Sequence, residues 1–102
     1  MSAFVFHPEA LADLDEIWEY IADDSIDAAD RVREEIFEAI GLLVKFPNQG
    51  HVRPDLTSRP LRFRAVREYV IAYAPEKPLA VIAVLHGRRN PRVLAAILKG
   101  RS

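Results

Sequence analysis

The sequence contains no cysteine, few histidines and no long apolar run. Without cysteine, the 102-residue chain can form neither a disulfide nor a thiolate metal site, which is compatible with a reducing cytosol. Its three histidines lie in separate segments, and no HxxxH or HExxH spacing points to a metal site. The longest apolar run, residues 79–85, has seven residues, whereas a bilayer-crossing helix needs about 20. We therefore expect no cofactor, no metal and no membrane segment.

Sequence motifs of several enzyme classes are missing as well. No GxSxG element predicts a serine nucleophile, and no GxGxxG or GxxxxGK[ST] loop predicts nucleotide binding. The first eight residues show no basic segment or cleavage signal, so we expect no signal peptide and a cytoplasmic protein. The length predicts a single domain over residues 1–102.

The charge is balanced over the whole chain but not along it. The formal net charge is −1, yet residues 1–46 carry twelve acids and three bases, and residues 47–102 carry three acids and eleven bases. The second half could therefore present a cationic recognition surface. Arginines also suit exposed sheet positions in general, so the charge pattern by itself leaves both interpretations open.

The first half predicts a short strand followed by a helical hairpin. Phe4–Phe6 is prone to form a strand, and Pro8 suits the first position of a helix that extends to about Ala22. The predicted core-facing stripe of this helix is Leu11, Leu14, Trp18 and Ile21. A second amphipathic helix starts after Ser25 and ends near Phe46, and the short connection makes the two helices antiparallel.

The second half predicts an antiparallel meander. After a proline-rich loop over residues 47–60, which is long enough to suggest a functional loop, the apolar period changes to two. Three strand-like runs, 61–65, 69–74 and 79–85, are joined by short turns, and a short C-terminal helix follows. The predicted fold class is α+β, β-α-α-β-β-β, with the helical hairpin packed on one face of an antiparallel sheet. The other face would carry Arg62, Arg64 or their neighbours.

One enzymatic hypothesis stays open from the residues alone. Metal-free RNA cleavage needs a general base, a cation for the phosphate and an acid for the leaving oxygen. Residues of the right types are His51, His86, Arg53, Arg62, Arg88 and Tyr73. Arginines would equally bind a carboxylate-rich peptide through paired hydrogen bonds, so the residue types do not decide between catalysis and binding.

Several segments together carry a family resemblance. Residues 8–21 fit the pattern Pro-x-Ala-x-x-Asp-Leu-x-x-Ile-x-x-Tyr-Ile. Further matching segments are Phe46–Gly50, Arg53–Leu56, Leu61–Arg62, Tyr69–Tyr73 and Val84–Asn90. In this order and spacing they resemble the ParE branch of the ParE/RelE superfamily of type II toxin–antitoxin toxins. One departure is His7, which stands where the family usually has Ser or Thr as a helix cap.

The resemblance implies a toxin that inhibits DNA gyrase without performing chemistry itself. It also implies a hetero-oligomer with a ParD-like antitoxin of the ribbon-helix-helix type, and no direct sequence-specific nucleic-acid binding. The related RelE branch contains ribosome-dependent mRNA endonucleases with a tyrosine near the C-terminus. Residues 90–102 contain no tyrosine, which favours the ParE branch. A non-toxic interaction module is the third alternative.

The residues expected to contact the antitoxin or the target come from the basic second half. They are Arg62, Arg64, Arg88, Arg89, Arg92, Tyr69, Tyr73 and His86. Arginines would make the charge contacts, and one of the two tyrosines would supply an aromatic anchor. Core packing against the helices is the alternative for both tyrosines. No catalytic or metal-ligating residue is expected.

Overall fold

Three helices and one four-stranded sheet make up the fold. The structure, a computed structural model, describes residues 3–102, so the predicted 1–102 domain includes two residues, Met1 and Ser2, that lie outside the described ones. The elements are β1 (Phe4–Phe6), α1 (Pro8–Ala22), α2 (Ile26–Lys45), β2 (Arg62–Val66), β3 (Tyr69–Ala74), β4 (Leu79–His86) and α3 (Pro91–Lys99). The predicted α+β class and the order of the elements are confirmed.

Each helix begins where a side chain can accept a hydrogen bond from a free backbone N–H. Ser25 Oγ accepts from Ala28 N at 3.1 Å at the start of α2. At the start of α3, Asn90 Oδ1 accepts from Arg92 N at 2.8 Å. His7, the departure from the usual Ser or Thr, still caps α1, because its Nδ1 accepts from Glu9 N at 3.1 Å. These caps satisfy donors that have no partner inside a helix.

The sheet is mixed, with the strand order β1-β4-β3-β2. The three later strands form the predicted antiparallel meander, but β1 pairs parallel with β4, Phe4 lying opposite Leu79 and Phe6 opposite Val81. The predicted antiparallel sheet therefore holds for β2, β3 and β4, and it was wrong for β1, which makes the sheet mixed. Two parallel neighbouring strands need a long crossover connection. Here the connection from β1 to β4 consists of the helical hairpin followed by β2 and β3.

Both faces of the sheet are covered. One face packs on the helical hairpin, with Ile36, Ile40 and Leu43 against Ile71, Tyr73 and Val81. The opposite face packs on α3 and on the loop between α2 and β2, through Leu56, Phe63, Ile82, Leu94 and Leu98. Within residues 3–102, no helix is both long and apolar enough to traverse a bilayer.

The expectation that Arg62 and Arg64 occupy the face opposite the hairpin was wrong. Residues directly opposite each other on paired strands share a face. Arg62 lies opposite Tyr73 and Arg64 opposite Ile71, so both arginines are on the hairpin side, at the edge of the sheet. The apolar residue between them, Phe63, instead points to the second core, because α3 provides apolar side chains that need a partner surface.

Helix α1 is rotated relative to the predicted stripe. Its core-facing residues are Ala10 and Leu14, with Ile17 and Ile21 packed against them, whereas Leu11 is 48% exposed. Trp18 does not face the sheet as predicted. It is half-buried beside α2, where its Nε1 donates to Asp30 Oδ1 at 2.9 Å. Apolar spacing alone could not separate these two stripes, because both follow three- and four-residue steps.

Candidate functional site

The eight residues predicted for partner contact lie in three separate places. Arg62 and Arg64 are on the edge strand β2, and Tyr73 is buried behind them. Tyr69 and His86 lie opposite each other at the far end of the β3–β4 pair. The remaining three form a group that we call the basic turn: Arg88, Arg89 and Arg92, exposed between β4 and the first turn of α3.

Arg62 is used to hold the loop that follows α2. Its Nη1 donates to Gly50 O at 2.8 Å and to Asn48 O at 3.2 Å. Arg64 Nη1 donates to the neighbouring carbonyl of Ala65 at 2.6 Å. Both side chains are half-buried. Arg62 is thus committed to main-chain contacts, which leaves less of its guanidinium for a partner carboxylate.

Tyr73 holds the same loop from inside the core. Its side chain is 0% exposed, its hydroxyl donates to Pro47 O at 2.6 Å, and it accepts from Gly50 N at 2.9 Å. Burial raises the pKa of Tyr73 above its ordinary value. A Cβ at Gly50 would lie 2.5 Å from the tyrosine oxygen, so only glycine allows this approach. Core packing, the alternative interpretation for this tyrosine, is confirmed.

Tyr69 is also part of the hairpin-side core, and it contacts His86. The two rings meet edge to face with centroids 5.5 Å apart. Burial is the main cause that raises the pKa of Tyr69. His86 is half-buried, and its Nδ1 lies 3.3 Å from Arg88 N, which donates to it. Tyr69 therefore packs against the His86 ring from within the core and does not project from the surface as an aromatic anchor.

A cleft of about 580 Å³ opens between α1 and the C-terminal part of the chain, and we call it the α1–α3 cleft. Its floor is the end of β4, Val84–His86, and its walls come from α1 and α3. Three predicted residues line it, namely Tyr69, His86 and Arg89. The other five do not. A volume of this size falls in the range of protein clefts that hold ligands.

The closest charge pair in the cleft was missed by sequence reasoning. Arg101 Nη1 and Nη2 donate to the two carboxylate oxygens of Asp13 at 2.6 and 2.9 Å, and Nη1 also reaches Ile82 O at 3.2 Å. Asp13 Oδ2 accepts from Val84 N at 3.0 Å. Arg101 is 8% exposed, and its hydrogen bonds to Asp13 are the main cause that raises its pKa.

A second arginine secures the same C-terminal turn, because Arg59 Nη1 donates to the carbonyls of Leu98 and Arg101. Asp13 belongs to the first-helix pattern quoted above, and that is the only signal in the sequence for this arrangement. Nothing marks Arg101 as its partner, since 88 positions separate the two residues.

The cleft contains charged and apolar side chains that could bind a partner. It also brings the imidazole of His86 beside Arg89, and both are residue types used in acid–base chemistry. Glu9 and Glu16 lie on the α1 wall, and Arg89 lies across from them beside His86. Among residues 3–102, no group of three or more metal-ligating side chains is close enough together to hold a metal ion. The arrangement is suited to recognising a partner that carries both charged and apolar groups.

Comparison with known proteins identifies the family of this chain. Residues 4–91 match the family described as "ParE toxin of type II toxin-antitoxin system, parDE". The chain belongs to this family of toxins. The match ends at the first residue of α3, so most of that helix and Arg101 lie beyond it.

A relative of this ParE-family chain has a name that agrees with the assignment. This chain is 34% identical over 93 residues to a protein of Sinorhizobium fredii (strain NBRC 101917 / NGR234) named "Putative toxin Y4kP". The similarity covers 83% of this chain and 88% of the relative. The resemblance deduced from the first-helix pattern and the strand ends is confirmed at the level of the family, which implies an antitoxin as partner.

Proposed function

We propose that this protein is a toxin that inhibits DNA gyrase in the cytoplasm and is neutralised by a cognate antitoxin. The observation that carries the proposal is the family match over residues 4–91, which includes both helices of the hairpin and the whole sheet. The antitoxin is proposed to be ParD-like, with a ribbon-helix-helix part, and to form a hetero-oligomer with this chain.

The basic turn is the proposed contact with the target. Arg88, Arg89 and Arg92 are exposed, and within residues 3–102 none of them takes part in an ion pair. Unpaired guanidinium groups on a surface turn can form bidentate hydrogen bonds to carboxylates of a partner. Arg64 and His86 stay candidates for partner contact, while Tyr69 and Tyr73 are no longer candidates for aromatic anchors because they are buried.

A gyrase assay tests the proposal directly. The purified protein should inhibit supercoiling and accumulate cleaved plasmid, and addition of the cognate antitoxin should restore supercoiling. Combined Arg88→Ala, Arg89→Ala and Arg92→Ala substitutions should weaken inhibition by about 10-fold or more, because interface arginines often carry much of the binding energy. Arg31→Ala is the matched control on exposed α2. Normal supercoiling with an excess of folded wild-type protein contradicts the proposal.

A second candidate function, cleavage of translated mRNA, is favoured by one observation. His86, Arg89 and Tyr69 all line the α1–α3 cleft, so an imidazole and a guanidinium lie in one concave site. Primer extension on mRNA from cells that express the chain separates the two functions. Codon-associated cuts that disappear in His86→Ala support the endonuclease, whereas intact messages together with growth arrest support gyrase. Unimpaired growth on expression supports the third alternative, a non-toxic interaction module.

A further inference from the structure

The last quarter of the chain carries positive charge without any acid. Residues 77–102 contain no aspartate or glutamate, and their bases are Lys77, Arg88, Arg89, Arg92, Lys99 and Arg101. Arg101 is engaged by its ion pair with Asp13. The others are exposed, and within residues 3–102 none of them forms an ion pair. Their positive charge is therefore open to a partner.

Helix α3 places part of this charge along its outer side. Its buried side chains, Leu94 and Leu98, face the sheet. The opposite side of the helix is exposed and carries Arg92, Ala96 and Lys99, at steps of four and three residues. Together with the two other arginines of the basic turn, these residues form a surface that we call the α3 basic face. From Arg92 to Lys99 the helix rises by about 10 Å, a length over which one strand of DNA carries about three phosphates.

The sheet separates the α3 basic face from most of the acidic residues. The helical hairpin packs on one face of the sheet and α3 on the other. The segment that contains the hairpin, residues 1–46, holds twelve of the fifteen acids. A long anion that approaches the molecule is thus attracted at α3 and repelled at the hairpin. The charge distribution favours one orientation, with α3 toward the anion.

The composition of the α3 basic face favours phosphate over carboxylate as its ligand. Arginine alone does not decide, because both groups accept its paired hydrogen bonds. Contacts between proteins have an apolar and often aromatic centre, whereas contacts with DNA are more polar and much more positively charged. Within residues 77–102, Val93 is the only large apolar side chain that is exposed. The surface therefore has the character of a nucleic-acid contact.

The same surface favours a duplex over a single strand. Proteins that bind single-stranded nucleic acids usually stack the bases on aromatic side chains. Residues 74–102 contain no Phe, Tyr or Trp, and the His86 ring is half-buried against Tyr69. An exposed row of cations without an aromatic platform fits the regular phosphate backbone of a double helix.

We propose that the α3 basic face binds the phosphate backbone of duplex DNA, without reading its sequence, and holds the toxin on the DNA segment that gyrase carries. This inference rests on the proposed function, because it names the ligand of the basic turn in the complex with gyrase. Its four cations are Arg88, Arg89, Arg92 and Lys99. If each neutralises one phosphate, the logarithm of the binding constant falls with the logarithm of the salt concentration at a slope of about −3.6, so that binding weakens about 100-fold between about 50 and 200 mM salt.

Titration of a fluorescent DNA duplex with the purified protein tests the surface. Arg92→Ala combined with Lys99→Ala should weaken binding by about 10-fold or more at about 50 mM salt and reduce the salt slope by about 1.8, because two phosphate contacts are lost. Lys77→Ala is the matched control. It removes an exposed lysine that precedes β4, about 23 Å along the strand from the basic turn, and it should change binding by less than about 2-fold. Circular dichroism checks that the variants are folded.

Crosslinking locates the surface within the complex of toxin, gyrase and DNA. The sequence has no cysteine, so one introduced cysteine is a unique attachment point for a photo-crosslinker. Ala96→Cys places the probe on the α3 basic face and keeps all four cations. Glu34→Cys, exposed on α2 across the sheet, is the control. The probe on α3 should label DNA several-fold more than the probe on α2.

The outcomes separate this inference from the proposed function. Three results overturn the inference and leave gyrase inhibition standing: no duplex binding by the wild type, equal binding by the Arg92→Ala, Lys99→Ala double variant, or an Ala96→Cys probe that labels gyrase subunits alone. Tighter binding of single-stranded RNA than of the duplex in the same salt also overturns it, in favour of an RNA ligand. Normal supercoiling with the wild type present overturns the proposed function, while the duplex titration still decides whether the α3 basic face binds DNA.

Discussion

Substitution of Arg101 should destabilise the fold far more than substitution of an exposed arginine. Arg101→Met removes both hydrogen bonds to Asp13 and the one to Ile82 O, but keeps most of the aliphatic side chain. The Asp13 side chain is 11% exposed, so its carboxylate is left without a counterion and retains only the Val84 N–H. Breaking a buried ion pair costs about 3–5 kcal/mol. We expect about 3 kcal/mol here, because the retained hydrogen bond offsets part of the loss.

A double variant identifies the cause of the destabilisation by Arg101→Met. Asp13→Asn combined with Arg101→Met replaces the pair by neutral side chains, and the asparagine oxygen can still accept from Val84 N. If the cost comes from the unpaired carboxylate, the double variant should be more stable than Arg101→Met, with a coupling energy of about 1–2 kcal/mol in a double-mutant cycle. A purely steric role of Arg101 predicts additive losses instead.

Urea unfolding followed by circular dichroism measures both effects. With a slope of about 2 kcal/mol per molar urea, a loss of 3 kcal/mol lowers the midpoint by about 1.5 M. Arg88→Met, on the exposed basic turn, is the control and should stay within about 0.5 kcal/mol of the wild type. A midpoint for Arg101→Met as high as that of the control would refute the assignment of Arg101 and Asp13 as a stabilising buried pair.

Two further predictions concern other contacts of the fold. Tyr73→Phe leaves the buried Gly50 N–H without an acceptor and should lower the free energy of unfolding by about 1–3 kcal/mol in urea titrations, while exposed Tyr20→Phe should change it little. Hydrogen bonding from Arg67 holds the pKa of Glu35 below its ordinary value of 4.5. This pair therefore stabilises the protein above about pH 4.5 and loses its effect as the pH falls through the lowered pKa. The difference in free energy of unfolding between the wild type and Glu35→Gln should therefore shrink in acid. A difference that stays the same between pH 7 and pH 3 would contradict this prediction.

Local sequence signals predicted the elements and their limits well. Pro8 and Ser25 mark helix starts, because capping and the fixed φ of proline act over a few neighbouring residues. The change of apolar period after residue 60 located the meander, since alternation of side chains is a property of each strand by itself. The long loop was found from its prolines, but its anchoring by Tyr73 and Arg62 was not.

The candidate site was predicted only in part. The residue types predict His86, Arg89 and Tyr69 as contact residues, and these three share one cleft, whereas Arg62 and Tyr73 hold a loop elsewhere. Residue type suggested all of these as contact residues, because arginine and tyrosine are enriched at interfaces. Which of them is exposed depends on strand register and on the helices that cover each face, and neither can be derived from the spacing of charges along the chain.

The sequence alone determined the fold class, the order of elements and the family, because capping, periodicity and motif order are local and are read along the chain. Only the tertiary structure decided which side of α1 is buried, that β1 lies parallel beside β4, and that Asp13 meets Arg101. Those choices depend on contacts between residues far apart in the chain, where many alternative pairings share the same local pattern. The α1–α3 cleft exists because the last residues of the chain return to its first helix, and no segment of the sequence encodes that closure on its own.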